Sequence, residues 1–421
     1  MSFSPLTQVQ RAYWAGQYNA RPGAGACHFS VEYDCAALDL DRYEAAWRKV
    51  IGRHPMLRTV VTPFGYNLTF DRVPDYRIRR HALQHLEAPL RERKLRALRE
   101  RISRRVPRHD RWPLLCIEAA LLPDGVTRLF VGVDVLVCDV VSFSIAHHEV
   151  RRFCSHVDKS PPMPRVTFAQ YVDEVDRSVP ERERERARRY WLSRLEDLPD
   201  RPALPSVERP GPVRFHRLEE RLDAGHWTAI KRRAGSLNVT PTAFLLAVYA
   251  EVLGEWSSME RFVLALTRHE RKQVHPTVDG VIGDFRTLLI HEVDRATQGR
   301  FDDRVRATHR RLSADLEHET FSGVEVLAEK SVHAERPFAT PVMFTEAIDH
   351  ASDLDDGEWL GKRVHEMSRT PGIVLDHRVE VRRDACLVQW DILVSEIDID
   401  SARRAFDRYV RRLREETAPH R

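Results

Sequence analysis

Hydrophobic and polar positions repeat along the chain with two periods. A helical spacing marks 40–53 (LDRYEAAWRKVIGR) and 87–105 (EAPLRERKLRALRERISRR), where Leu90, Leu95 and Leu98 share one face and Arg fills the rest. The β-branched and aromatic runs at 126–134 (VTRLFVGVD) and 385–393 (ACLVQWDIL) read as strands. Thr240 is placed to cap a helix that opens with Pro241, where a missing N–H costs nothing. The apolar loading of the following AFLLAVYAEVLGEW predicts that this helix is buried. A charged helix is expected over 181–195 (ERERERARRYWLSRL), leading into the Pro-rich stretch 195–212. Clustered prolines remove amide donors and favour an extended path, so this stretch is the expected lobe boundary. Two mixed α/β lobes of roughly 200 residues each follow from that division.

Composition narrows the class. With 42% apolar residues in 421, the chain has ample material for a core. No apolar run approaches the ~18–20 residues of a membrane span, and MSFSPLTQVQRAYW lacks the basic-then-apolar order of a signal peptide. Lys and Arg number 67 against 63 Asp and Glu, and a net charge of +4 is too small to imply nucleic acid. The six cysteines are scattered with no CxxC pair, which suits a reduced, cytoplasmic setting and points away from a disulfide framework or a metal site.

Dinucleotide, P-loop, HExxH and GxSxG patterns are absent, which leaves a few acidic and His-containing segments. The strand at 126–134 runs into Asp134 and Asp139, with Ser142 three residues on. Buried carboxylates need partners, so this reads as a structural pair pinning a loop, with acid/base work as the sharper alternative. His275-Pro-Thr-Val-Asp279-Gly280 is an HxxxDG string of the kind in which His acts as general base, although three such positions also arise by chance. His147-His148-Glu149 is a near miss. Pro341-Val-Met-Phe-Thr345 is an apolar strand ending in a hydroxyl, and Asp376 interrupts the β-branched run beginning at Thr370-Pro-Gly. That carboxylate either faces solvent or is buried, where desolvation would raise its pKa toward neutrality.

Taken in order, these segments resemble the heterocyclization domains of nonribosomal peptide synthetases, a branch of the condensation-domain superfamily. The resemblance starts at Ser4-Pro-Leu-Thr-Gln through Gly16 and continues in Arg53-His-Pro-Met-Leu-Arg58. Asp134, Asp139 and Ser142 form the DxxxxDxxS signature, in place of the HHxxxDG of ordinary condensation domains. Tyr190-Trp191, Leu198-Pro199 to Leu204-Pro205, Thr240 to Leu246, His275-Pro276 to Phe285, Pro341 to Thr345 and Leu375-Asp-His377 complete the series. The resemblance implies an α/β fold of two chloramphenicol-acetyltransferase-like lobes in a V with a central tunnel. The expected division is 1–175 for the first lobe, 176–212 for the linker and 213–421 for the second, with a crossover loop near 268–290.

The resemblance also implies the chemistry. A carrier-bound acyl thioester is condensed with Cys, Ser or Thr on a second carrier and cyclodehydrated to a thiazoline or oxazoline. No cofactor is bound beyond the carriers' 4'-phosphopantetheine arms; neither nucleic acid nor membrane takes part. Thr345 and Asp376 match the family's proton-handling pair, whereas Asp134 and Asp139 look mainly architectural and His275 belongs to a loop. Departures from the pattern gather near that pair: Arg286 for a usual Thr, Glu346 for Ser, Arg369 for Gln and Arg378 for Gln. An added cation within ~4–6 Å lowers a carboxylate's pKa. Arg286 and Glu346 are expected to pair with each other, or Glu346 with Arg369 or Arg378; the alternative is that both reach solvent. The Arg-rich helices at 87–108 and 181–193 suit encounter with acidic carriers. The leading expectation is a heterocyclase acting in trans. The alternatives are amide or ester condensation alone or an unusual cyclization on the same scaffold, a non-catalytic carrier-binding platform, and a CoA-dependent acyltransferase using His275.

Overall fold

The structure, a computed structural model, describes residues 1–19, 27–103, 108–155, 162–207, 213–296, 299–348, 359–382 and 384–418. Parts of two expected segments, 104–107 of the basic helix and 208–212 of the Pro-rich stretch, lie outside the described residues. The chain forms two compact units.

Unit 1 comprises Met1–Ser178, Arg271–Phe285 and Asp353–Pro371. Its elements are β1 (Ser2–Pro5), α1 (Gln8–Asn19), β2 (His28–Ala36), α2 (Leu40–Arg53), β3 (Thr59–Val61), β4 (Tyr66–Thr69), β5 (Arg79–Ala82), α3 (Ala88–Ser103), β6 (Leu115–Leu121), β7 (Val126–Asp134), α4 (Val140–Cys154), α5 (Phe168–Ser178) and, much later, β12 (Lys362–Arg369). A five-stranded sheet has the order β12-β2-β7-β6-β5, and a small antiparallel sheet the order β1-β4-β3. Helix α3 buries Leu95, Leu98 and Ile102 against Phe130, while Leu90, one turn earlier, is only half-buried.

Unit 2 holds α6 (Glu181–Leu192), β8 (Phe215–Leu222), α7 (Ala224–Ser236), α8 (Pro241–Ser257), β9 (Arg261–His269), β10 (Arg286–Asp294), α9 (Phe301–Leu316), α10 (Gly323–His333), β11 (Val342–Ala347), β13 (Leu375–Arg382), β14 (Ala385–Leu393) and α11 (Ile399–Thr417). Its six-stranded sheet has the order β10-β9-β11-β13-β14-β8, with β11 parallel to both neighbours and the other pairs antiparallel. Helix α8 starts where Thr240 accepts a hydrogen bond from Ala243 N at 3.2 Å. It is buried nearly all round and packs Tyr249 against His377 and Trp390. Strand alternation sends Val342, Phe344, His377, Val379, Val388 and Trp390 to this helix-covered face. Each such apolar side chain contributes about 1.5–3 kcal/mol by leaving water. The opposite face receives Met343, Thr345, Asp376, Arg378, Gln389 and Asp391.

The division differs from the expected one in two places. The boundary falls at 178/179, so α6 and the stretch after it belong to unit 2 instead of forming a linker. Extended Pro-rich backbone keeps its remaining polar groups available, and here they pair within unit 2. Asp200 O accepts from Val263 N at 3.1 Å, and Val207 N donates to Glu396 O at 2.9 Å. The expected block 213–421 is also interrupted, because β12 pairs with β2 of unit 1 from Lys362↔Asp34 to Arg369↔His28.

Candidate functional site

The face of the unit 2 sheet opposite α8 brings Thr345 and Asp376 together. Asp376 lies beside Met343 in the parallel register, and Thr345 is two residues further along the same face of β11. Thr345 Oγ1 donates to Asp376 Oδ1 at 2.7 Å. Asp376 is 7% exposed, and burial raises its pKa from 3.8 to about 6. Arg378, the Thr345 hydrogen bond and Arg217 oppose that rise, and the nearby carboxylate of Asp391 adds to it. A carboxyl with this pKa exchanges protons near neutrality, the property required of a general acid and base.

The charges around Asp376 are ordered by strand register. Asp391 stands directly opposite it on β14, and Arg217 directly opposite Asp391 on β8. Arg217 grips Asp391 with two parallel hydrogen bonds, Nε to Oδ1 at 2.7 Å and Nη2 to Oδ2 at 2.6 Å. Arg378 Nη1 lies 4.0 Å from Asp391 Oδ2. In the next row Gln389 donates to Glu219 at 2.5 Å. Neither Asp391 nor Arg217 was singled out by sequence; the only signal was one Asp inside the apolar run ACLVQWDIL. Behind the pair, on the helix-covered face, His377 Nε2 meets the Tyr409 hydroxyl at 2.9 Å, and burial lowers its pKa to about 3, so it stays neutral.

The DxxxxDxxS residues lie in unit 1 and hold backbone. Asp134 Oδ1 accepts from Leu136 N at 3.0 Å, and its Oδ2 is 2.8 Å from His109 Nε2. Asp139 caps α4, accepting from Ser142 N at 2.7 Å, and with its other oxygen accepts from Phe285 N at 3.0 Å. Ser142 Oγ donates to Gly283 O at 2.9 Å while accepting from Gly283 N at 3.0 Å and Arg271 Nη2 at 2.9 Å. The guanidinium of Arg271 stacks 3.7 Å from the Phe285 ring centroid, and burial lowers its pKa. The signature thus latches Arg271–Phe285 onto unit 1. Only glycine fits at Gly283, since a Cβ there would overlap the Phe168 ring.

The remaining candidates are placed by strand register and unit. Arg378 shares the face of Asp376, and Arg286, opposite His269 in the β9 register, emerges on that face as well. Glu346 follows Thr345 and therefore emerges on the other face, where its Oε1 accepts from Ile348 N at 2.6 Å. Against the expected clamp, the pleat sends Arg286 and Glu346 toward opposite faces of the unit 2 sheet, and the same alternation sends Glu346 and Arg378 to opposite faces. Arg369 is buried at the end of β12, in unit 1. His275 sits in the latched segment, where its Nδ1 is engaged by Thr277 N at 3.1 Å and Thr277 Oγ1 at 2.9 Å. His147 is fully buried, with a pKa lowered to about 3 by that burial. Among the described residues, no group of three or more His, Cys, Asp or Glu could hold a metal ion, and no single helix is long and apolar enough to cross a membrane.

Comparison with known proteins accords with this geometry. The family model described as Condensation domain matches residues 2–355. Pyochelin synthetase PchF of Pseudomonas aeruginosa is 33% identical over 416 residues, covering 97% of this chain and 23% of that protein. Phenyloxazoline synthase MbtB of Mycobacterium tuberculosis is 32% identical over 406 residues, covering 92% and 28%. The chain therefore spans about a quarter of the length of these curated relatives. Among solved structures, the EpoB NRPS cyclization-docking bidomain from Sorangium cellulosum superposes with a TM-score of 0.90 at 29% identity, covering 99% of this chain and 86% of that one. The X-domain from teicoplanin biosynthesis, at 18% identity and a TM-score of 0.78, shares the fold.

Proposed function

The chain belongs to the condensation-domain family, and from that premise we propose that it is a heterocyclization enzyme of nonribosomal peptide synthesis. In this reading it joins a carrier-bound acyl thioester to Cys, Ser or Thr on a second carrier and closes the product to a thiazoline or oxazoline. Both substrates arrive on phosphopantetheine arms. Support comes from the DxxxxDxxS signature, from the cyclization bidomain among the structural relatives, and from the ring named in phenyloxazoline synthase. The observation that carries the reading is the 2.7 Å hydrogen bond between Thr345 and a buried Asp376 that titrates near 6.

Three bond changes are needed. The amine attacks the thioester carbonyl, forming C–N and breaking C–S. The side-chain thiol or hydroxyl then adds to the new amide carbonyl and gives up its proton. Finally the former carbonyl oxygen leaves as water: C–O breaks, C=N forms, and the oxygen carries away the proton released in the second step together with the one lost from the nitrogen. In our reading Asp376 accepts the proton of the second step and returns it in the third, while Thr345 orients the carboxyl through Oδ1. Proton return to a leaving hydroxyl is more demanding than attack by a free amine. Asp376→Asn is therefore expected to abolish ring closure and leave amide formation measurable. Intact-mass analysis of the loaded carrier separates the products, since the ring is one water lighter than the amide. Full ring formation by Asp376→Asn would overturn the assignment.

One observation favours a second reading, condensation without cyclization. Arg378 lies on the face of Asp376 and lowers its pKa, favouring the form that has no proton to give. Wild-type protein that yields amide and no ring in the same mass assay would establish it.

A further inference from the structure

The row Asp376–Asp391–Arg217 is an arrangement that side-chain propensities disfavour. Like charges directly opposite each other on neighbouring strands repel, and burial strengthens the repulsion. Asp391 is 1% exposed and Asp376 7% exposed, so little water screens them. An ordinary core would place an apolar pair at these positions, as Leu375 and Ile392 do in the adjacent row on the other face. What distinguishes the two carboxylates is their partners. Both oxygens of Asp391 are taken by the Arg217 fork, a bidentate geometry that stabilises the anion. Asp376 has a neutral hydroxyl on Oδ1.

We propose that Asp391, gripped by Arg217, is a positioning residue for the Thr345–Asp376 pair, and that it determines which carboxylate of the row carries the exchangeable proton. This deepens the heterocyclization reading and rests on it for its catalytic meaning, though not for its electrostatics. The Arg217 fork occupies both oxygens of Asp391, and the Asp391 carboxylate directly across the strand pair adds to the rise in the Asp376 pKa. The groups facing Asp376 are Met343 and Thr345 on β11, Asp391 on β14 with Arg217 behind it on β8, Arg378 on its own strand, and Tyr249 of α8 from the far face. Among these Asp391 is the second carboxylate, and Arg217 is the cation paired with it. Carboxylates on directly opposed residues interact, so removing Asp391 is expected to change the apparent pKa of Asp376.

The test is a carboxyl titration of the intact chain by NMR with 13C-labelled aspartate, the Asp376 signal being identified by its loss in Asp376→Asn. In Asp391→Asn the Asp376 carboxyl is expected to titrate about one pH unit lower than in wild type. Asp391→Glu keeps the charge and is expected to restore the midpoint most of the way. The double variant Arg217→Gln/Asp391→Asn leaves a neutral hydrogen-bonded pair in place of the ion pair. It guards against misfolding of the single variant and is also expected to titrate below wild type. The acid limb of the ring-closure rate should move with the carboxyl midpoint in each variant. An unmoved Asp376 midpoint in both neutralising variants would overturn the proposal, whatever happens to the rate. If the midpoint moves and no variant, wild type included, makes a ring, the positioning role stands and the heterocyclization reading falls.

Discussion

Replacing Asp376 by Asn should make the protein more stable at neutral pH, even though it removes the group proposed to move the proton. The magnitude follows from the pKa. Burial raises this carboxyl from 3.8 to about 6, so the native state holds its proton where the unfolded chain has released it. Between those values the native state binds more protons, and stability therefore falls as pH rises through the window. At roughly 1.4 kcal/mol per pH unit, the ionised carboxylate costs the native state up to about 3 kcal/mol above pH 6. Asn carries no such charge. It keeps an oxygen that can accept from Thr345, and turns an NH2 toward the anion of Asp391. Arg378 loses an anionic neighbour, which takes back part of the gain, so the net expectation is about 1–3 kcal/mol at pH 8 and near zero at pH 4. Urea midpoints of wild type and variant across pH 4–8 measure it. A variant that is equally or less stable at pH 8, or a difference that does not grow between pH 4 and 6, would refute the reasoning.

Gly283→Ala should weaken unit 1 by about 1–3 kcal/mol, because a methyl there overlaps Phe168, and a wild-type denaturation midpoint would contradict the close approach. Ser142→Ala removes three hydrogen bonds of the latch. It should speed amide exchange across 271–285 selectively, with an expected cost of about 1–3 kcal/mol. His275→Ala should lower product formation by less than about threefold in a protein that stays folded; abolition of activity would favour the acyltransferase alternative. Thr345→Val removes the donor to the carboxylate form. It should raise the Asp376 midpoint and slow ring closure more than amide formation, as read by the same titration and mass assay.

Local rules made some of this legible. Thr240 and Pro241 announce the start of α8 because capping is decided within one turn, and the strands at 126–134 and 385–393 follow from their own side chains. The Pro-rich stretch looks like a boundary in the sequence because the groups that pair with its backbone, Val263 and Glu396, are far away along the chain. The expected pairing of Arg286 with Glu346 runs against strand parity: proximity of two motifs says nothing about which face of a strand each residue takes until register is known. The same blindness hid Asp391 and Arg217, which are 174 positions apart and meet only because β8 and β14 are neighbours. Thr345 and Asp376 were found through resemblance; their hydrogen bond and the raised pKa needed the sheet.

The strand β12 has a consequence for how the molecule is made. It forms the edge of the unit 1 sheet beside β2, yet it is separated from β2 by more than half the chain. During synthesis, residues 28–36 therefore leave the ribosome with one side of their backbone lacking its final partner, and that partner is not translated until residue 369. For most of elongation the nascent chain presents an unpaired strand, HFSVEYDCA, able to accept other extended segments. Completion of the first unit is consequently a late event, after most of the second has been made. Fragments cut near residue 178 should aggregate, and a chain permuted to bring 359–371 next to residue 27 should fold faster than the natural order.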